Sequence, residues 1–124
     1  MKFMLLSHDD EQYWQDVGPQ AHRAALDEAI ELTHDIARKG QYLYCSPLQH
    51  STTATLVRVR DGKASVTSGP YAETREVLGG FYLIEADSVE EAVAIAARHP
   101  GARVGTVEIR PIMESEGLPA STLT

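Results

Sequence analysis

Ser68-Gly-Pro-Tyr-Ala-Glu-Thr-Arg-Glu-Val-Leu-Gly-Gly80 is the most informative stretch of this chain. It lies between two segments whose composition is typical of β-strands. A Gly-Pro pair opens it and a Gly-Gly pair closes it, so the backbone path is specified at both ends. Because the stretch is too polar to be buried, we interpret it as a shaped loop that leads into a core strand. We call Ser68–Gly80 the motif segment.

The patterns on either side of the motif segment predict the element order β-α-β-(hairpin)-β-α-β. Apolar runs and alternating patterns predict six strands, at Lys2–Ser7, Tyr42–Ser46, Ala54–Arg60, Lys63–Ser68, Gly80–Ala86 and Val104–Ile112. A long helix opens at Gly18-Pro19 and ends at Gly40, and a second begins after the capping residue Ser88 and ends before Pro100. Without the hairpin this order is the ferredoxin-like pattern, an α+β fold.

Two of the predicted strands are apolar on both faces. The first carries Phe3 and Leu5 on one face and Met4 and Leu6 on the other, and the strand after the motif segment alternates in the same way. Two helices cover only one face of such a sheet, so the second face needs another cover. We therefore predict a homodimer.

Composition places the chain among ordinary globular domains. It has 124 residues, which is the size of one domain, and a formal net charge of −7. Clustered Lys and Arg are absent, so we expect no nucleic-acid partner, and no apolar run has the length of a membrane span. The single cysteine excludes an intrachain disulfide, and we expect a cytoplasmic protein.

The chain resembles the YCII-related domain family, and within it the DGPF-domain subgroup. The resemblance runs from Met1-Lys-Phe-Met-Leu-Leu6 to Val107-Glu-Ile-Arg-Pro-Ile112 and is carried mainly by the motif segment. It implies ferredoxin-like subunits that form a dimeric α+β barrel. We expect the domain to span residues 1–113 and a polar tail to span residues 114–124.

The motif segment departs from the subgroup pattern at two positions. The subgroup is named after Asp-Gly-Pro-Phe, and here Ser68 and Tyr71 stand in place of the Asp and the Phe. A serine hydroxyl donates or accepts a hydrogen bond but carries no charge at neutral pH. A role that depends on a carboxylate at this position therefore does not transfer to this chain.

His22 is the candidate catalytic residue. It lies early in the first long helix, where the resemblance implies the histidine of a His/Asp pair, and no aspartate of this chain is matched to the pair. The helical spacing puts it on the same stripe as Leu26, Ala29 and Thr33, so we expect it to face the sheet. The positive end of the helix dipole favours a neutral imidazole there, which suits a general base.

The topology predicts that further polar residues meet His22 at one end of the subunit. We expect a small organic ligand to bind there, and the candidate ligand-binding residues are His8, Ser68, Gly69, Pro70, Tyr71, Glu73, Arg75 and His99. Three histidines suggest a metal, but the HxH, HxxxH and CxxC spacings are absent, so we predict no metal and no cofactor. The sequence leaves open a cofactor-independent enzyme, a ligand-binding or regulatory module without turnover, and a purely structural dimer.

Overall fold

A computed structural model describes residues 1–122 of the chain. It contains mixed α and β structure with antiparallel sheets. The strands are β1 (Lys2–Asp9), β2 (Tyr42–Pro47), β3 (Thr55–Arg60), β4 (Lys63–Ser68), β5 (Val77–Glu85) and β6 (Thr106–Pro111). The helices are α1 (Glu11–Asp16), α2 (Pro19–Arg38), α3 (Val89–Arg98) and α4 (Gly101–Val104), with a 3₁₀ turn at Ser51–Thr53.

Four strands form the main sheet in the order β2-β5-β1-β6, and all neighbours are antiparallel. With the β3–β4 hairpin set aside, this is the strand order of a ferredoxin-like subunit, which agrees with the predicted fold class. The order places β1 and β5 in the centre of the sheet. The ends of these two central strands therefore position the residues that follow them, which include Asp9 and the motif segment.

The core lies between α2, α3 and one face of the main sheet. Phe3 and Ile84 are fully buried on neighbouring central strands, and Leu32 and Ile36 of α2 pack against them. Alternation along β1 turns Phe3, Leu5 and Ser7 toward the helices and Met4, Leu6 and His8 away from them. We call the helix-free side the open face.

The buried stripe of α2 differs from the one predicted. Leu32 and Ile36 are buried, whereas Leu26 is 39% exposed and His22 is exposed. Apolar residues extend around more than one face of this helix, so periodicity alone did not identify the side that packs on the sheet. The expectation that His22 faces the sheet was wrong, because residues 19–24 at the start of α2 are all exposed.

Two short helices were not predicted. Residues 11–16, which lie outside the predicted strands and helices, form α1. The N-cap of α1 is Asp10, whose carboxylate accepts hydrogen bonds from the backbone N–H groups of Gln12 and Tyr13. Residues 101–104 form α4, so the last strand begins at Thr106 rather than Val104. Helices of one turn carry too little periodicity to be recognised from the sequence.

The β3–β4 hairpin forms a separate two-stranded sheet. It turns at Asp61-Gly62 with φ of 53° and 73°, the left-handed conformation that the Asp-Gly pair predicts. Thr55 pairs with Ser68 at its base and Arg60 pairs with Lys63 at its tip. Every residue of β4 is exposed, so the hairpin extends away from the core.

The chain after β6 contains no further helix or strand up to residue 122. The predicted tail starts here, and its last two residues, Leu123 and Thr124, lie outside the described residues. Among the helices of residues 1–122, none has the length and apolar character needed to cross a membrane.

Candidate functional site

Asp9, at the end of β1, is half-buried among polar groups. Its carboxylate accepts a hydrogen bond from the Ser7 hydroxyl at 3.4 Å, and it is also hydrogen-bonded to the Trp14 side chain of α1. Burial raises the pKa of Asp9, and the nearby His99 and these hydrogen bonds oppose that shift. The protonation of this carboxylate is therefore sensitive to its neighbours.

His99 caps the C-terminus of α3 and lies beside the same group. Its Nδ1 accepts a hydrogen bond from the Gly101 backbone N–H at 3.0 Å, which leaves the proton of the neutral ring on Nε2. Burial lowers the pKa of His99, while the negative charge of Asp9 and then that of Glu28 raise it. The dominant effect of burial favours the neutral imidazole.

Trp14 connects Asp9 to His22. The Trp14 and His22 rings lie with their centroids 5.4 Å apart and their planes inclined by 34°. His22, Trp14, Asp9 and His99 thus follow one another from the exposed surface into the interior, and we call them the His22–His99 row. The row combines an exposed imidazole with a half-buried carboxylate and a second, more buried imidazole.

Two glycines make room for the buried end of this row. At Gly79, which is bulged out of the β1–β5 pairing, a Cβ atom would overlap the Asp9 carboxylate. At Gly101, a Cβ would lie only 2.9 Å from both Ser7 Oγ and His99 Nδ1. The Gly-Gly pair of the motif segment therefore serves the placement of Asp9 as well as the path of β5.

His8 belongs to a different surface. It lies on the open face, where its Nε2 is 2.9 Å from Glu108 Oε1 on β6. The hydrogen bond to His8 is the largest of the interactions that lower the pKa of Glu108. Strand alternation thus separates His8 from Ser7 and Asp9, although the negative charge of Asp9 still interacts with His8.

The middle of the motif segment is tied to the first helix and the last strand. Arg75 Nε lies 3.1 Å from Asp10 Oδ2, and this contact is the main reason that the pKa of Asp10 is lowered. Glu76 accepts a hydrogen bond from the Thr106 hydroxyl at 2.9 Å. The segment therefore takes a specific path, as its glycine and proline positions predict.

A cleft of about 330 Å³ opens between α1, the 3₁₀ turn and the motif segment. We call it the loop cleft; its lining includes Glu11, His50, Pro70, Glu73 and Arg75. The Glu11 carboxylate accepts hydrogen bonds from the backbone N–H and the hydroxyl of Ser51, at 2.8 and 2.6 Å. The volume is at the lower end of the range of small-molecule sites.

Helix α1 separates the loop cleft from the His22–His99 row. Gln12 and Gln15 line the cleft, whereas Trp14 of the same helix contacts His22 and Asp9. Within residues 1–122 no hydrogen bond, ion pair or ring contact joins His22 to the motif segment. The predicted site residues therefore fall into two groups on opposite sides of α1 instead of one shared pocket.

Three of the predicted ligand-binding residues in the motif segment, Ser68, Gly69 and Tyr71, lie outside the lining of the loop cleft. Tyr71 is 81% exposed, so it forms neither a pocket wall nor an anchor in this chain. Ser68 ends β4, and the Gly69 N–H donates to the Ala54 carbonyl at 2.7 Å. A Cβ at Gly69 would lie 2.5 Å from the Ala54 Cβ, so this glycine permits the strands to close the hairpin base.

The predicted site residues did not include Ser7, Asp9 and Trp14. The signal for Ser7 and Asp9 was the period of two in β1, which puts both on the face of Phe3 and Leu5. Trp14 had no such signal, since it depends on the unpredicted helix α1.

Among the described residues, His, Cys, Asp and Glu side chains form no group of three or more arranged to hold a metal ion.

His99 is expected to make the stability of the protein depend on pH. Its folded pKa lies below its ordinary value of 6.5, so the unfolded chain binds a proton more readily. The free energy of unfolding is therefore highest above this value and falls as the pH drops from 6.5 toward the folded pKa. Urea denaturation between about pH 5 and 8 is expected to show a smaller acid-side loss in His99→Gln than in wild type.

The control for this measurement is His34→Gln, a change at an exposed histidine of α2. It is expected to keep the wild-type slope. Equal slopes in wild type and His99→Gln would contradict the assignment of the acid-side loss to His99.

The comparisons with known proteins bear on the whole chain. The family model of the YCII-related domain matches residues 1–116. The chain is also similar to an uncharacterized protein of Rhizobium meliloti (strain 1021), with 28% identity over 114 residues, which are 90% of this chain and 92% of that protein. That relative carries no assigned activity, so the comparisons identify a family and no reaction. With nearly its whole length matched, the chain belongs to the YCII-related domain family.

Proposed function

We propose that this protein is a homodimer of the DGPF-type subgroup that binds a small organic molecule at the end of the subunit and transfers a proton through His22. The observation that carries the proposal is the continuity of the His22–His99 row. An exposed imidazole is connected through Trp14 to a half-buried carboxylate and a second imidazole. Burial raises the pKa of Asp9 and lowers that of His99, and each of these two groups opposes the shift of the other. A coupled pair of this kind is typical of proton-transfer sites.

The positions along the row suggest separate roles. His22 is exposed and so is the member that a ligand reaches. Trp14 offers an apolar surface on which a planar molecule stacks beside the imidazole. The hydrogen bond with Asp9 orients the Trp14 side chain, and the Asp9 carboxylate places a negative charge next to Trp14. His22 is the proposed general base, and Asp9 and His99 are positioning residues.

The open face supports the homodimer. Tyr44 is 42% exposed on this face, and Leu6, Phe81 and Leu83 are half-buried there without a covering helix. The accessible surface of the chain is 8740 Å², about a third more than the roughly 6,600 Å² expected of a compact monomer of 13.6 kDa. A partner over the open face removes part of this excess and completes the proposed dimeric α+β barrel.

A second candidate function is ligand binding without turnover, in the loop cleft. The observation in its favour is that the cleft is open and does not include His22. Arg75 uses only Nε to bind Asp10, and within residues 1–122 its two terminal nitrogens form no hydrogen bond or ion pair. These nitrogens suit a ligand carboxylate.

One experiment distinguishes the two functions. Small carbonyl and carboxylate compounds are screened by thermal shift, and each binder is incubated in D₂O while ¹H NMR follows the loss of its exchangeable C–H protons. Proton transfer predicts that His22→Gln slows this exchange by about 100-fold or more while the thermal shift persists. Binding without turnover predicts no exchange above the rate without protein, and loss of the thermal shift in Arg75→Gln.

The matched control is His34→Gln, since it removes an exposed imidazole from the same helix and leaves the row intact. It is expected to behave as wild type in both measurements. Wild-type exchange rates in His22→Gln would refute the catalytic role. A thermal shift that survives in Arg75→Gln would refute the loop cleft as the binding site.

A further inference from the structure

The β3–β4 hairpin has one apolar and one basic face, and both are solvent-exposed. Direct cross-strand pairs put Val57 opposite Val66 and Val59 opposite Ala64 on one side. The three valines are 58–66% exposed. The other side carries Arg58, Arg60 and Lys63, which are three of the eleven basic residues of the chain. We call the first side the valine face.

A hairpin of this kind is not stable by itself. An isolated two-stranded sheet is marginal in water, and it needs a hydrophobic face packed against something else. Nothing in residues 1–122 of the same chain fills this role, because the valines keep more than half of their surface exposed. Their β-branched side chains suit packing on a second pleated surface. The polarity of the two faces indicates which side is covered: valines inward and the basic residues in solvent.

The same chain offers a matching surface. The open face of the main sheet carries Leu6, Tyr44, Phe81 and Leu83, and none of the helices in the described part of the chain covers it. The valine face and the open face do not cover each other within one molecule. In a two-fold symmetric dimer, the valine face of each copy can pack on the open face of the other, so that both apolar faces are buried. Each hairpin strand of six residues is about 20 Å long, and the nine residues of β5 exceed that length.

We propose that the hairpin is a dimerisation arm whose valine face packs on the open face of a second copy of this chain. The proposal rests on the homodimer of the proposed function and specifies which surfaces meet. The accessible surface of the chain agrees with this proposal. It exceeds the surface expected of a compact monomer by about 2,100 Å², whereas each partner in a standard interface buries only roughly 800 Å². The hairpin base runs through Gly69 into the motif segment, so the arm also restrains the wall of the loop cleft.

Charge insertion on the two faces of the hairpin tests the arm. Val57→Lys with Val66→Lys places two charges in the proposed contact, and sedimentation equilibrium is expected to show a dimer dissociation constant raised about 100-fold or more. Ser65→Lys adds a charge to the basic face of the same hairpin as the matched control, with an unchanged constant expected. Far-UV circular dichroism and urea denaturation check that the variants fold.

A cross-link makes the test independent of folding defects. In a Cys45→Ala background, one chain carries Val66→Cys and another carries Phe81→Cys, and the mixed chains are oxidised. A disulfide between the two chains is expected, while Ser65→Cys with Phe81→Cys gives none. If wild type is a dimer, the variant with Val57→Lys and Val66→Lys is equally dimeric, and Val66→Cys forms no cross-link, then the arm is refuted but the homodimer is not. A wild-type monomer at micromolar concentration would refute both, and a dimer abolished equally by Ser65→Lys would refute the choice of face.

Discussion

Ile84→Ala is expected to lower the free energy of unfolding by about 2–5 kcal/mol. Ile84 is fully buried on the central strand β5, where it pairs with Phe3 of β1 and Tyr42 of β2. Truncation removes apolar surface from the core and leaves a cavity between rigid strands that relax little. Urea denaturation at one fixed protein concentration measures the loss, because the proposed dimerisation makes the apparent free energy of unfolding depend on protein concentration.

Val93→Ala is the control for this substitution. Val93 lies on α3 with 51% of its surface exposed, so its truncation is expected to change the free energy of unfolding by about 0.5 kcal/mol or less. A loss below about 1 kcal/mol for Ile84→Ala would mean that the core is looser than the packing of Phe3, Ile36 and Ile84 indicates.

Gly79→Ala is expected to displace Asp9 and disconnect the His22–His99 row. A Cβ at this position overlaps the Asp9 carboxylate, which is held in place by Ser7 and Trp14. Overpacking of this kind typically costs about 1–3 kcal/mol of stability. We also expect the pKa of His99 to fall further, because the negative charge of Asp9 is the largest influence that opposes burial. Urea denaturation measures the first effect, and NMR titration of the His99 ring measures the second.

A double-mutant cycle tests whether the effect passes through Asp9. Asp9→Ala removes the carboxylate with which the new Cβ collides, so Gly79→Ala is expected to cost less in that background than in wild type. Equal costs in the two backgrounds would show that Gly79 acts through the backbone of β5. Gly101→Ala serves as a comparison, since its Cβ would crowd Ser7 and His99 instead.

The elements that local chemistry specifies were predicted well. Pro19 opens α2 and Gly40 follows its end with φ of 72°. Ser88 caps α3 through the Glu91 backbone N–H at 3.2 Å, and Asp61-Gly62 forms the hairpin turn. Each of these features depends on two or three neighbouring residues, so it is readable in sequence. Helix α1 was missed because its six residues look like a polar loop, although the cap at Asp10 is ordinary helix chemistry.

The candidate site was predicted only in part. Sequence reasoning named His22 and His99 and expected them near one another, but the groups that connect them come from an unpredicted helix and from a strand residue taken as loop. The motif segment was expected to form one pocket with His22, and α1 lies between them. Which side chains meet across α1 depends on the direction of a short helix, and no period in the sequence encodes that direction.

The order of the six strands and the two long helices, the family and the glycine and proline positions of the motif segment can be read from the sequence, because caps, turns and alternation are local. The contact of Asp9 with Gly79, the contact of His8 with Glu108 and the exposure of the valine face of the hairpin come from the tertiary structure alone. These facts depend on pairing between residues far apart in the chain. The bulge at Gly79 is the clearest example: one unpaired residue in β5 opens the space for a carboxylate 70 positions earlier.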